Sequence, residues 1–545
     1  MKKYILYSII SLLYCYSLWS APVSPESATL AAKNFDISMN GNTQRPNVEL
    51  AYTGVTPRGT NAFYVFNINN LRFVIVAAED RQEPILAYDF NAPFDVRNLS
   101  PEVLYFFENY GEEIQFIIDN NSEPEATTAE QWQILLSNSD VPPAITHRST
   151  TVGPLLSTCW GQGWPDNSLC PVSGSCQAVS GCVATAMSQI MNYWQYPLSG
   201  NGSNSYSIAP YGTLTANFGA TTYGWTGSAA DRGRIMSDTG ISVNMQYTCS
   251  SSGAWVLLND QSGFHPRAAQ NAYTSHFRYD TGIQGVRRTN YSYNNWKDLL
   301  RDELNNSRPV QYAGWGSSGG HTWVCDGYHQ NFWGTKFHMN WGWNCSNNGM
   351  YRLGGIGGNQ SDFPSNEQAL INIKPAPCPS NVSISGTYSN TITQSGTWIV
   401  SNSTTIIPSG ATVRLDADPS NGFVLLNDGF ETQPNVLFIA QALDGCGAAL
   451  PSRPVIEVYD TADEIASKDI TASTIRVYPN PTNGMLNVEY PMSVKELKLY
   501  DIVGKLLLAK TVGKEGRASL DLTAIPPGIY FLSFDGQTTK KIVKE

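Results

Sequence analysis

Cys182 and His321 are the pair whose types and surroundings could perform nucleophilic chemistry. In SGCVATAMSQIMNYW (180–194) apolar side chains recur at Val183, Ala186, Met187, Ile190, Met191 and Trp194. Those intervals predict a helix with one buried face, and the suitable entry Ser180-Gly181 puts Cys182 at or near its first turn. Free N–H groups and the helix dipole in a first turn favour the thiolate, which is the nucleophilic form. A cysteine is ordinarily a small buried apolar residue, but the count argues otherwise here. Ten cysteines occur, nine of them after residue 21, and an odd number in an oxidising compartment leaves one thiol unpaired. Cys176, in GSC (174–176), competes for the role. No helical period starts there, and Pro171, Gly174 and Ser175 predict a loop, with Cys170 or Cys159 available as a disulfide partner. Cys325, in a strand-like run, is a second candidate for a free buried thiol.

A thiol nucleophile needs a base, and only six histidines are present. His321 follows Ser317-Ser318-Gly319-Gly320 and opens the apolar run TWVCDGY, so a glycine turn would present its ring at a strand edge. His147, His265 and His276 lie in polar surroundings without special flanks, and His329 and His338 read as structural. In FHMNWGWN (337–344) Asn340 could hold the second ring nitrogen, with Trp341 and Trp343 shielding the pair from water. Gln162, in STCWGQGWPDN (157–167), could join the Cys182 N–H in stabilising an oxyanion. There is no HExxH, no repeated paired-cysteine zinc pattern and no phosphate-binding glycine loop. The expected reaction therefore uses no metal or organic cofactor, and the aromatics read as core.

The elements that must position these residues belong to a chain of 545 residues, enough for about three or four folded units. A net charge of −11 argues against a general electrostatic grip on nucleic acid or anionic lipid. Charged residues make up 14%, below the roughly 25% usual for soluble domains, which suits strands and ordered loops outside the cell. Residues 1–21 read as a signal peptide: Lys2-Lys3, an apolar run too short to span a bilayer, then Ser20-Ala21. No transmembrane helix is expected in the mature form. Residues 22–149 carry strand patterns at 63–67 and 72–80 and a helical pattern at 101–119, followed by a polar, proline-marked connection that is easily cut. Residues 150–375 hold most of the tryptophan and cysteine. Residues 376–472 read as a small β module and residues 473–545, which lack His and Cys, as a β-sandwich.

The strings SGCVATAMSQIMNYWQYP, GGHTWVCDGY and HMNWGWN, with VGPLLSTCWGQGWPDNSLCP upstream, resemble the streptopain family of papain-like cysteine peptidases over about residues 50–375. His321 lies 139 residues after Cys182 and Asn340 lies 158 after, near the roughly 130–150 of papain-like enzymes. The resemblance implies an α+β fold: a papain-like two-lobed catalytic domain with an α+β inhibitory prodomain, followed by the β module and β-sandwich. It implies Cys182 as nucleophile, His321 as proton acceptor, Gln162 as oxyanion donor, and Asn340 with Trp341 steadying the histidine. It further suggests substrate contacts from Ser252, in SSSGAW (250–255), and Gly320. Thr322 stands where alanine is usual, and Cys159, Cys176, Cys249 and Cys345 look like additions. The tail, VYPNPTNG (477–484) through TKKIVKE (539–545), resembles the C-terminal sorting domain of proteins exported by the type IX secretion system.

The expectation is a secreted or surface-attached cysteine endopeptidase, reached through the periplasm and made as a zymogen matured near Pro143–Val152. Its partners would be protein and peptide substrates, its own prodomain as inhibitor and the type IX machinery, but not nucleic acid. The alternatives are a papain-fold acyltransferase, in which an amine replaces water, and a catalytically silent surface adhesin.

Overall fold

The computed structural model describes residues 22–40, 46–137, 149–317, 319–354, 366–377 and parts of 381–544. The expected signal peptide, His147 and most of the expected maturation region lie outside the described residues. The chain falls into two compact units, Met1–Tyr459 and Asp460–Glu545.

The first unit opens with α1 (Pro25–Asn40), β1 (Val48–Val55), β2 (Asn61–Ile68), β3 (Arg72–Ala77) and β4 (Ile85–Asp89), followed by α2 (Pro101–Asp119) and α3 (Ala126–Leu135). β1 to β4 form an antiparallel meander. Strands β2 and β3 are buried along nearly their whole length, because both sheet faces are covered. Phe63 packs its ring on Phe107 of α2, with centroids 4.7 Å apart. Tyr64, pointing to the opposite face, donates to the Val23 carbonyl beside α1. Helix α2 starts where Ser100 accepts the Val103 N–H at 3.3 Å and Pro101 occupies the first turn.

Next come β5 (Ser149–Val152), α4 (Cys182–Trp194), α5 (Ala229–Ser242), α6 (Ala269–His276), β6 (Gln284–Arg287) and α7 (Tyr293–Asn305). They are followed by β7 (Val310–Gly316), β8 (Gly319–Asn331), β9 (Gly334–Asn340), β10 (Gly349–Tyr351) and β11 (Gln368–Ile371). The main sheet runs β1-β2-β3-β4-β10-β9-β8-β7-β11-β6. Its N-terminal meander is thus not a separate unit: β4 pairs with β10 through Met350 with Tyr88 and Tyr351 with Ala87. One core is shared by α1, α2 and the β strands, and a second lies among α4, α5 and α6. β8 runs along the seam, giving Trp323 and Cys325 to the first core and Val324 to the second. β5 pairs with Tyr328–Gln330 of β8, so a cut inside 149–152 would remove part of an ordered strand.

Helix α4 is buried on all sides rather than on one face, and its polar residues find partners. Gln189 accepts from Thr158 Oγ1 at 2.8 Å, and Ser188 meets Thr239 at 3.1 Å. Two disulfides are described, Cys159–Cys345 and Cys176–Cys249. Cys176 is therefore bonded, but to Cys249 and not to Cys170 or Cys159, a pairing 73 residues apart in sequence that local spacing does not reveal. Cys170, Cys182 and Cys325 are free.

The interface between the meander and the rest includes His329, between Tyr88 Oη (2.6 Å from Nδ1) and Ser149 Oγ (2.8 Å from Nε2). Burial, with the Lys336 ammonium adding to it, pulls this imidazole from 6.5 down to about 4. The ring is neutral when docked, so its contribution is intact above pH 6.5 and lost as pH falls from 6.5 through 4. The melting temperature of a Cys182→Ala precursor is expected to drop across that window by several degrees more than that of a Cys182→Ala/His329→Gln precursor. Parallel melting curves for the two would remove His329 from this account.

Residues 381–441 hold the expected β module, in a form that sequence alternation alone does not disclose. Its strands pair in parallel, Asn381 with Trp398 and Trp398 with Phe423 in one sheet, Val413 with Ile392 and Phe438 in another. Ile384, Ile399, Ile407, Val413 and Leu415 fill the space between them. The second unit has two antiparallel sheets, of three and four strands, around Leu486, Leu497, Leu499, Leu520, Leu532 and Ile542. Among the described residues no helix is long and apolar enough to cross a membrane.

Candidate active site

Cys182 is the first residue of α4, and His321 sits near the start of β8. A carboxylate oxygen of Glu102, the Cys182 sulfur and a ring nitrogen of His321 all lie within 4.8 Å of one another. The two predicted groups are thus brought together from the two sides of the seam, with an acid from α2 beside them.

Gly181 caps α4 with φ +85°, a conformation that glycine adopts readily. A Cβ there would stand 2.7 Å from the Ser252 carbonyl oxygen and 2.9 Å from the Met245 sulfur. Gly181→Ala should therefore displace the start of α4, lowering kcat/KM of the processed enzyme at least tenfold and stability by about 1–3 kcal/mol. Peptide hydrolysis and urea unfolding check both, and unchanged kinetics would show that the sulfur tolerates a shifted helix start.

The thiol is not the ready thiolate that its helix position alone predicts. Burial, helped by the Glu102 carboxylate, pushes its pKa up to about 12, against the pull of the N–H groups of Thr322, Val183 and Cys182 itself. The helix start favours the anion as expected, but the α2 helix that excludes water outweighs it in this form. Burial likewise raises Glu102 to about 7. Its Oε2 accepts from Trp343 Nε1 at 2.7 Å, and its Oε1 is buried without a hydrogen-bond partner.

The rest of α2 continues over the same seam. Tyr105 packs at a tilt against Trp323 and Phe106 edge-on against Trp341, with centroids 5.9 and 5.1 Å apart. Glu108 accepts from the Ser317 N–H at 3.0 Å. Gly314 of β7 makes the close approach possible, since a Cβ there would fall 2.5 Å from the Tyr105 ring.

Gln162 is buried, and its carbonyl accepts the Ser180 N–H at 3.0 Å, tying its segment to the residue two before Cys182. Asn340 is buried at the end of β9. Its Nδ2 donates to the Thr158 carbonyl at 2.9 Å, while Oδ1 accepts from Gln189 Nε2 and the Gly342 N–H at 3.2 Å each. Both acceptor positions of Oδ1 are thus engaged, and Asn340 clamps α4 to β9 in this form. Trp341 is buried and donates to the Asn347 carbonyl at 2.7 Å. Ser252 turns its hydroxyl into its own loop, accepting from the Thr248 N–H at 3.0 Å, while its backbone packs on Gly181. Gly320 is exposed and pairs with Trp315.

Two residues of the site were not singled out from sequence. Gln189 could have been found as an amide inside an otherwise apolar helix. Glu102 reads as an ordinary acid in a first helical turn, with nothing local to link it to Cys182.

A model of the Peptidase C10 family matches residues 160–351, and one of the Spi protease inhibitor matches residues 20–114. A secretion system C-terminal sorting domain matches residues 476–545. Streptopain of Streptococcus pyogenes is 30% identical over 357 residues, covering 58% of this chain and 81% of streptopain. This chain belongs to the streptopain family. It is a cysteine peptidase carrying an inhibitor prodomain, and its sorting domain marks it for type IX secretion, to the exterior or the cell surface. Thiol protease/hemagglutinin PrtT of Porphyromonas gingivalis is 31% identical over 404 residues, covering 69% of this chain and 44% of PrtT's own length. A solved structure of a prointerpain A fragment from Prevotella intermedia is 24% identical, covers 61% of this chain and all of that fragment, and has a TM-score of 0.48.

Proposed function

We propose that this chain is made as an inactive precursor and, freed of its prodomain, cleaves peptide bonds within extracellular proteins through Cys182 and His321. The observation that carries this is the meeting of the sulfur and the ring nitrogen within 4.8 Å at the first turn of α4, under a helix of the inhibitor region. His321 takes the thiol proton, and the sulfur attacks the carbonyl carbon of the scissile bond. Gln162 and the Cys182 N–H hold the oxyanion of the tetrahedral intermediate. His321 then returns its proton to the leaving amine, which departs and leaves a thioester. Water, deprotonated by His321, adds to the thioester, and collapse releases the acid and restores the thiol.

In this reading Asn340 and Trp341 form the buried wall that fixes β9 beside the histidine, while Gly320 and the Ser252 loop flank the bound peptide. Removal of α2 rehydrates the cleft and takes the Glu102 charge away from the sulfur, so the thiol pKa falls toward the working range. No nucleic acid is a partner.

Digestion of casein in ¹⁸O-labelled water by the processed enzyme tests hydrolysis directly. New internal C-termini carrying the heavy oxygen are expected. Products joined to amines without label would instead assign acyl transfer, and no products from an intact, processed chain would assign a silent scaffold.

A further inference from the structure

We propose that the precursor binds a Zn²⁺ ion between Glu102, Cys182 and His321, and that this ion pins the prodomain over the cleft until the prodomain is removed. The three ligand atoms lie within 4.8 Å of one another. Zinc bonds of about 2.0–2.3 Å then require inward movements on the order of 1 Å by the three side chains. Among the described residues this is the one cluster of three or more His, Cys, Asp or Glu side chains with metal-ligand spacing.

The second, independent observation is the Glu102 carboxylate itself. It is 0% exposed, and its Oε1 is buried without a hydrogen-bond partner, an arrangement that is costly unless something occupies that oxygen in the loaded protein. Trp343 fixes the other oxygen at 2.7 Å, orienting the carboxylate as an outer hydrogen bond does for a metal ligand.

The donor set selects the ion. One thiolate, one imidazole and one carboxylate suit zinc, whereas magnesium and calcium require all-oxygen shells. Ionised Glu102 and Cys182 balance the two charges of the ion, so the buried assembly is neutral. Binding expels the thiol proton to solvent and forms the sulfur–metal bond; no electron is transferred. Each anionic ligand also sits in the first turn of a helix, where the dipole favours its charged form. Because Glu102 belongs to the prodomain and the other two ligands to the catalytic region, the complete site exists only in the uncut chain. The binding claim stands on this geometry alone, and its consequence for activation rests on the reading of Cys182 as nucleophile.

The test is metal binding by the full-length precursor, confirmed intact by mass spectrometry before and after. Cobalt serves as a spectroscopic stand-in and zinc is titrated by calorimetry. One ion per chain is expected, with a thiolate-to-cobalt absorption band. Glu102→Gln, which keeps the shape, should weaken zinc binding at least tenfold, and Cys182→Ser should abolish the band. The processed enzyme, lacking Glu102, should also bind at least tenfold more weakly than the precursor. No band in the precursor, or equal zinc affinity in precursor, Glu102→Gln and processed enzyme, would overturn the site. If binding follows the prediction while the processed chain fails to cleave peptides, the zinc site stands and the proposed nucleophile falls.

Discussion

A Cys182→Ala precursor should remain uncut and hydrolyse peptides slower by a factor on the order of 10⁶ than the processed parent, the loss seen when a hydrolase triad loses its nucleophile. The expectation is specific because, among the described residues, three thiols are free and only one of them lies beside a histidine. Cys170 and Cys325 are buried in the two cores, and burial pushes the Cys170 thiol up to about 12 and raises that of Cys325 well above its ordinary value. Cys182 is raised as well in the precursor, but part of its shift comes from Glu102, which leaves with the prodomain. Cys176→Ala is the control: it breaks the bond to Cys249, lowers stability, and leaves the sulfur–imidazole pair intact. Self-processing followed on gels and casein cleavage by separately matured protein distinguish the two. Full activity in Cys182→Ala would move the nucleophile elsewhere.

The second large effect is expected at the buried ion pair that joins the inhibitor region to the catalytic region. Arg352 donates through Nη1 to both carboxylate oxygens of Glu113 at 2.9 Å, and the two side chains are 1% and 0% exposed. Lys336 and Arg352 also approach Glu83, at 3.1 and 3.6 Å, so two acids of the prodomain face two bases of the catalytic region. Replacing one member of such a pair strands a buried charge and costs about 3–5 kcal/mol. In Glu113→Ala that cost falls on docking, because the acid and base lie on opposite sides of the eventual cut. The open form of the precursor should become about 10²- to 10⁴-fold more populated, on the order set by that energy, and first-order self-cleavage should accelerate by a similar factor. Mature enzyme from this variant should match the parent, since it no longer contains residue 113. An unchanged self-cleavage rate would show that docking does not depend on this pair.

The parts of this molecule that the sequence discloses are those written in local patterns. The 3.6-residue recurrence after Cys182 marks α4, the entry at Ser180-Gly181 puts the cysteine in or near its first turn, and the glycine pair before His321 marks the edge of β8. The strand patterns of 63–67 and 72–80 and the helical pattern of 101–119 appear as β2, β3 and α2. What stays hidden depends on contacts distant along the chain. The pairing of Tyr88 with Met350, which makes prodomain and catalytic strands one sheet, spans 262 positions, and no periodicity encodes it. The Cys176–Cys249 bond is similarly silent. Glu102 carries the signature of a helix-start acid and gains its importance only because α2 packs across β7 and β8. The expectation of a reactive thiolate at Cys182 does not hold for the covered precursor: backbone N–H groups at the helix start pull the thiol down, but desolvation outweighs them.

The most direct test is to treat uncut precursor and processed enzyme with a peptide-derived thiol electrophile and map the adduct by mass spectrometry. Modification of Cys182 alone, in the processed enzyme and not in the precursor, is the predicted result. An adduct on Cys170 or Cys325, or equal labelling of Cys182 in both forms, would contradict a nucleophile at residue 182 held silent by α2.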